Sequence, residues 1–311
     1  MFRLMQHPFR LACGGVLLAL LCAGVSCRQP SSNSPAARLT FTDELNRTVA
    51  IVPNPQRIIS LAPNITEMLF ALGLGARVMA VTSYCDFPPE AKTKEKIGDT
   101  LQPNLERIIA LRPDLVVVTT ASQVERLTRQ LDQLNIPVYV TNPHTVRDVP
   151  RSLQHLGAAT GAKPQADELA AKLEERIRQV ETRVSGQPQP RVLFVLQLGP
   201  LITAGRNTFI NDLITLAGGA SISGDQTAEY PQFSLETAVA RVPEVIIAPL
   251  MHGSGAIDEA ELRRAFATTP AVRNNRLVRI SPDLTSRPGP RLIDGLEQLA
   301  QALYPAQPSK P

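Results

Sequence analysis

Residues 164–185 read PQADELAAKLEERIRQVETRVS, and the rest of the chain is arranged around this stretch. It holds no glycine and no proline beyond its first residue, so nothing interrupts a helix. Pro164 suits a first turn, where a missing N–H is no loss, and Asp167 and Glu168 complement the positive end. Arg183 lies near the other end, and Gly186 follows as a cap. Leu169, Leu173, Ile177, Val180 and Val184 recur at helical spacing, which predicts one buried stripe. Glu174, Glu175, Arg176, Arg178 and Gln179 are expected on the opposite, solvated face. At a 1.5 Å rise such a helix is roughly 33 Å long, enough to lie across two domains and join them.

On both sides of this helix, apolar strand-like runs alternate with helical ones. A hairpin is expected from Arg38–Asp43 and Arg47–Val52. Strands follow at Arg57–Leu61, Arg77–Thr82, Asp114–Thr119 and Pro137–Thr141, with helices between them. After Gln187-Pro188-Gln189-Pro190 the alternation resumes, with strands expected at Arg191–Gln197, Leu201–Ala204, Glu244–Pro249 and Leu277–Ser281. This grammar implies two mostly parallel sheets, hence an α/β fold of two Rossmann-like lobes bridged by one long helix. The two sides also resemble each other. Leu105 to Val118 reads LERIIALRPDLVVV and Leu235 to Ala248 reads LETAVARVPEVIIA, with Leu, Glu, Ala and Pro in register.

The first 26 residues follow a different logic. Arg3 and Arg10 precede an apolar run from Leu11 to Ala23, too short to span a bilayer but suited to a secretory signal. Gly24-Val25-Ser26-Cys27 then resembles a lipobox, with Gly24 where leucine is usual. The expected layout is a signal peptide over 1–26, a Ser/Pro/Ala-rich tether over 27–37 lipidated at Cys27, an N-terminal lobe over 38–162, the bridge over 163–186 and a C-terminal lobe over 187–311. This places the protein in the periplasm or at the cell surface, held to the membrane by lipid.

Cysteine usage agrees. Cys13 and Cys22 leave with the signal and Cys27 takes the lipid, so Cys85 alone remains and no internal disulfide can form. His144, His155 and His252 have no metal-ligand spacing. The net charge of +4 is spread along the chain and gives no nucleic-acid stripe.

Enzyme signatures are missing. Gly73-Leu74-Gly75 follows a helix rather than a strand and is no dinucleotide fingerprint; there is no GxSxG and no HExxH. Asp99, Asp283 and Asp294 stand as single acids. No catalytic residue, metal or cofactor is expected. Ligand binding fits better, because open α/β sheets bind ligands beyond the carboxyl ends of their strands. The segments expected there are Ser83–Pro89, Thr119–Ser122, Gly205–Thr208, Ala228–Phe233 and Asp283–Arg291. They carry Tyr84, Tyr230, Arg206, Arg287 and Arg291, a set suited to a large polar ligand with flat surfaces. Glu106 and Glu236, the matched acids of the repeat, fall in first helical turns behind Asn104 and Ser234. There they serve the helix dipole or meet cations on a two-fold partner.

RIISLAPNITEMLFALG, VTSYCDFPPEAK, NLERIIALRPDLVVV, TAGRNTFINDLITLAGG, YPQFSLETAVARVPEVII and the TSRPGPR turn together resemble the substrate-binding proteins of the iron-siderophore and cobalamin class of ABC importers. The likeness covers about Gln56 to Tyr304 and is closest to the cobalamin-binding members. It implies a class III substrate-binding fold, a monomer that delivers a corrinoid to an ABC permease dimer and its ATPase. It also implies permease docking through Glu106 and Glu236, a ligand contact at Tyr84, and Tyr230 where a tryptophan stands in the family. Asp283, Thr285 and Arg287 match a loop lining the cleft. The chain has no tryptophan, and Thr119 and Ile202 replace aromatic residues. A ferric siderophore or haem is therefore the alternative ligand. An α/β enzyme or metallocofactor-assembly protein is the alternative of another class.

Overall fold

The computed structural model describes residues 37–120, 124–250 and 257–305, which belong to one contiguous unit. The signal, most of the tether, Cys27 and His252 lie outside the described residues. The chain opens with β1 (Leu39–Thr42) and β2 (Thr48–Ile51), an antiparallel hairpin. Then come β3 (Ile58–Ser60), α1 (Pro63–Ala71), β4 (Val78–Val81), β5 (Glu95–Lys96), α2 (Leu105–Ala110), β6 (Leu115–Thr119), α3 (Val124–Asp132), β7 (Val138–Thr141) and α4 (Asp148–Thr160). The long helix α5 spans Lys163–Val184. Beyond it lie β8 (Arg191–Phe194), α6 (Phe209–Leu216), β9 (Ala220–Ser221), α7 (Leu235–Ala240), β10 (Val245–Pro249), α8 (Glu259–Ala265), α9 (Pro270–Arg273), β11 (Leu277–Ile280), α10 (Asp283–Ser286) and α11 (Leu292–Leu303).

Among the described residues the strands after the hairpin form two parallel sheets, ordered β5-β4-β3-β6-β7 and β9-β8-β10-β11. Apart from β5 the two orders correspond strand for strand. The repeat is visible in the backbone as well. Asn104 and Ser234 cap α2 and α7 by accepting the Arg107 and Thr237 N–H groups. Arg112 and Val242 then both turn left-handed, at φ of 45° and 52°, ahead of the matched prolines. Arg57 and Arg191 each donate a guanidinium hydrogen bond to the carbonyl of that left-handed residue. Their backbone N–H groups go to Asp114 and Glu244.

Alternation along the strands divides the core. Ile58, Leu115, Val117, Val192, Phe194, Val245 and Ile247 face one continuous cluster that draws on both sheets and on α1, α4, α5, α6 and α11. Their neighbours Ile59, Val116 and Val118 face a second cluster, and Leu193, Ile246 and Ala248 a third, each confined to one sheet. Both sheets are covered on both faces, as parallel sheets require. The hairpin shields the edge strand β7: the Glu44 N–H donates to the Val140 carbonyl, and Arg47 to that of Val138.

Several expectations need correction. On α5 the buried residues are Ala166, Ala170, Leu173, Ile177 and Val180, while Leu169 and Val184 are half-buried. Small residues take the stripe where α4 comes close: a Cβ on Gly157 would lie 2.2 Å from the Ala166 Cβ. Arg176 does not face solvent alone. It binds Glu297 at 2.8 and 2.7 Å and Asp294 at 2.6 Å on α11, which also gives Asp294 its partner. Leu201–Ala204 is not a strand; Ile202 makes isolated bridges to Gln197 and Gln232, and its neighbours bond to loop carbonyls. Between the first two expected strands of the N-terminal half, helix α1 starts at Pro63, which takes its first turn.

Candidate functional site

All strands of each sheet are parallel, so their carboxyl ends share one edge, and the loops leaving that edge build a cavity of about 320 Å³. The N-terminal half contributes Ala62–Asn64 after β3, Thr100 after β5, Thr119 and Thr120 from β6, and Thr141–Pro143 from β7. The C-terminal half contributes Phe209 at the start of α6 and Ser286–Pro288 after β11. The wall is mostly hydroxyl, amide and apolar. The Thr120 hydroxyl donates to Asn142 Oδ1 at 2.8 Å. Thr141 is fully buried, and among the described residues its hydroxyl has no hydrogen-bond partner. Among the described residues of this wall, Arg287 is the one ionisable side chain.

That arginine is already held. Its Nη1 lies 2.7 Å from Asp86 and 3.5 Å from Glu67, and its Nη2 lies 2.9 Å from Asp283. Arg291 binds Glu67 at 2.6 and 3.0 Å, and its guanidinium sits 3.9 Å from the centre of the Phe87 ring. Glu67, on α1, has a side chain only 2% exposed, yet both its partners come from the far end of the chain. Burial alone would raise the Asp86 carboxyl; the Arg287 hydrogen bond and charge outweigh it and hold the group below its ordinary value. Arg291 is shifted upward, first through its hydrogen bond to Glu67. Gly289 lets the turn approach α1 closely: a Cβ there would be 3.3 Å from the Asn64 carbonyl oxygen.

A second contact ties the halves elsewhere. The Val146 N–H, ahead of α4, donates to Asp212 Oδ2 on α6 at 2.6 Å. Burial pushes the Asp212 carboxyl up, against the lowering effect of that hydrogen bond. A larger cavity, about 390 Å³, touches the ion cluster through Glu67 and Arg291 and is otherwise walled by Phe70, Ala71, Phe87, Pro88, Glu90 and Pro290.

The residues singled out from sequence divide into three groups. Thr119 and Arg287 line the first cavity. Tyr84 and Tyr230 do not; they are 61% and 57% exposed, on the loops that follow β4 and β9 at the carboxyl edges. Asp283, Thr285 and Arg206 act within the protein. Asp283 holds Arg287, the buried Thr285 hydroxyl donates to the Pro282 carbonyl, and Arg206 donates to the Asp225 carbonyl. Asp99, taken as a lone acid, accepts the Leu101 and Gln102 N–H groups. Sequence reasoning missed Asn64, Thr100 and Thr141, although the carboxyl-end rule that marked Thr119 applies equally to the loops after β3, β5 and β7. It also missed Glu67.

Glu106 and Glu236 stand exposed in the first turns of α2 and α7, at equivalent places in the two halves. Among the described residues neither carboxylate makes an ion pair or a side-chain hydrogen bond. Their neighbours are engaged: Arg107 pairs with Glu95, and Arg241 with Asp225.

Two Rossmann-like halves with parallel sheets, one bridging helix and a cavity walled by both define a class III binding-protein fold. The chain belongs to the periplasmic binding protein family, which it matches over residues 58–284. It is 34% identical over 259 residues to a vitamin B12-binding protein of Pectobacterium atrosepticum, covering 80% of this chain and 88% of that one. It is 30% identical over 309 residues to an uncharacterized ABC transporter substrate-binding lipoprotein of Bacillus subtilis, covering 94% of this chain and 97% of that one. Among solved structures, the apo form of a periplasmic heme-binding protein from Roseiflexus sp. RS-1 superposes with a TM-score of 0.72 at 28% identity, covering 80% of this chain and 98% of that one.

Proposed function

We propose that this protein is the lipid-anchored substrate-binding component of an ABC importer, and that it captures cobalamin or a related corrinoid between its halves and passes it on unchanged. The observation that carries this reading is the cavity walled by both halves at the carboxyl edges of their sheets. Among the described residues its only ionisable wall residue is saturated by carboxylates, so these side chains offer recognition rather than a base or nucleophile. Relatives named for vitamin B12 binding favour the corrinoid. At about 320 Å³ the cavity is at the small end of ligand pockets, so it receives part of the ligand while the macrocycle rests at the mouth, and Tyr84 and Tyr230, exposed on carboxyl-edge loops, are the flat side chains offered to it. In this reading lobes 38–162 and 187–311 close on the ligand about the bridge 163–186. Cys27 carries the lipid outside the cytoplasm, as the lipoprotein relative supports. The protein works as a monomer without catalytic residue or cofactor, and Glu106 and Glu236 meet arginines of the permease dimer, which the ATPase drives.

Haem is the second reading, favoured by the heme-binding neighbour and by exposed tyrosines able to act as an axial ligand. Calorimetric titration of the mature protein with cyanocobalamin, cobinamide and haem separates the two. Corrinoid binding in the micromolar range or tighter is expected. Haem binding with no corrinoid heat at high micromolar concentration would reverse the assignment.

A further inference from the structure

Arg287 looks at first like an anchor for an acidic ligand group, because among the described residues it is the only charged one in the cavity wall. Its surroundings remove that role. Glu67, Asp86 and Asp283 face Arg287 and Arg291, three carboxylates against two guanidiniums, so the cluster carries one excess negative charge. Both guanidiniums of the cluster are already engaged. A ligand carboxylate brought here would lose its water and meet net negative charge.

The rest of the wall has the opposite character. The Thr141 hydroxyl is buried without a partner, an arrangement that is costly unless something else completes it. Thr119 lines the same space, and its hydroxyl makes no side-chain bond within the described residues. Asn64 uses its Nδ2 only in a long 3.5 Å contact to the Pro288 carbonyl, which leaves its Oδ1 as an acceptor. Hydroxyls and an amide both donate and accept, which is what a primary carboxamide needs, and none of them neutralises a charge.

We propose that this cavity is a receptor for an uncharged carboxamide arm of the ligand, completed by Thr141, Thr119 and Asn64, and that the carboxylates around Arg287 make it refuse carboxylate arms. This rests on the corrinoid reading above and sharpens it. Thr141, Thr119 and Asn64 are the contact residues. Glu67, Asp86 and Asp283 act through Arg287 and set its selectivity.

The test uses two probes with one macrocycle: dicyanocobinamide, whose arms are amides, and dicyanocobyrinic acid, whose arms are carboxylates. The mature full-length protein is titrated with each by calorimetry. The amide form is expected to bind on the order of 100-fold more tightly, the scale set by bringing like charges together out of water. In Asp86→Asn with Asp283→Asn, which turns the cluster's excess charge positive while leaving Glu67 to hold both arginines, the gap should shrink to about tenfold or less. Thr141→Val should weaken the amide probe about fivefold or more while leaving thermal stability unchanged or higher, because the valine removes an orphan hydroxyl at constant shape. A purely structural threonine would not lower affinity. Equal affinity for the two probes, or an unchanged amide affinity in Thr141→Val, would overturn the carboxamide receptor and leave corrinoid capture standing. Failure of both corrinoids alongside tight haem binding would overturn both.

Discussion

At the scale of single residues, Glu67 matters more than any tyrosine. It is buried, and it joins α1 to the turn after α10 through Arg287 and Arg291. Glu67 accepts both side-chain hydrogen bonds of Arg291, whose other carboxylate, Asp283, lies 3.7 Å away, so Glu67→Ala should destabilise the protein by about 1.5–3 kcal/mol, measurable by urea denaturation. Acid acts on this network and on the Arg176–Glu297 pair between α5 and α11. Asp86 and Glu297 have carboxyls held below their ordinary values of 3.8 and 4.5. Groups depressed in the folded state stabilise it above their unfolded pKa and lose that contribution as pH falls through the folded one. Asp212 is shifted the other way, so it takes up its proton earlier in the folded state and slightly favours folding as the solution becomes acidic. Melting temperature should therefore hold or rise slightly from neutrality to about pH 5, then drop below about pH 4. Little of this was legible in the sequence. Periodicity placed Glu67 on a helix but could not see arginines 220 and 224 positions away, which only the folded topology brings to it. Strand polarity put Arg287 and Arg291 on a loop at the carboxyl edge, but their charges could not be known to be spent.

At the scale of elements, the long helix was the most readable feature, because an uninterrupted apolar period over many turns has few competing interpretations. What sequence misjudged was the identity of the stripe. Leu169 outranks Ala166 in hydrophobicity, yet it is Ala166 and Ala170 that are fully buried on α5. Gly157 on α4 decides this, since the two helices meet too closely there for anything larger. Gly157→Ala adds a better helix former but drives a methyl to 2.2 Å from Ala166, so it should cost about 1–3 kcal/mol on denaturation. Restoring space with Ala166→Gly in the same chain should recover part of the loss. The strands β5 and β9 escaped notice because two residues carry no alternation, and α9 and α10 because one turn carries no period.

At the scale of the whole molecule, the repeat extends from matched letters to matched sheets, caps and left-handed corners. It was legible because α2–β6 and α7–β10 kept their leucine, glutamate, alanine and proline in register. The cavity was only half legible: its position followed from strand polarity, while its chemistry depended on which side chains were already engaged. The same symmetry sets Glu106 and Glu236 in equivalent exposed turns, without side-chain partners among the described residues. Reversing both, Glu106→Arg with Glu236→Arg, should abolish uptake in a reconstituted transporter while calorimetry shows ligand affinity within about twofold of the parent. Normal uptake in that variant would end the docking role.

The largest apolar cluster draws its members from both sheets. Each side keeps a smaller cluster of its own, but the largest belongs to both. A gene truncated after the bridging helix would encode a piece with raw hydrocarbon where its sibling belongs, and such a fragment should aggregate rather than fold. The intact chain should melt in one calorimetric peak whose van't Hoff and measured enthalpies agree. Two resolved peaks would mean that the shared interior is only a seam.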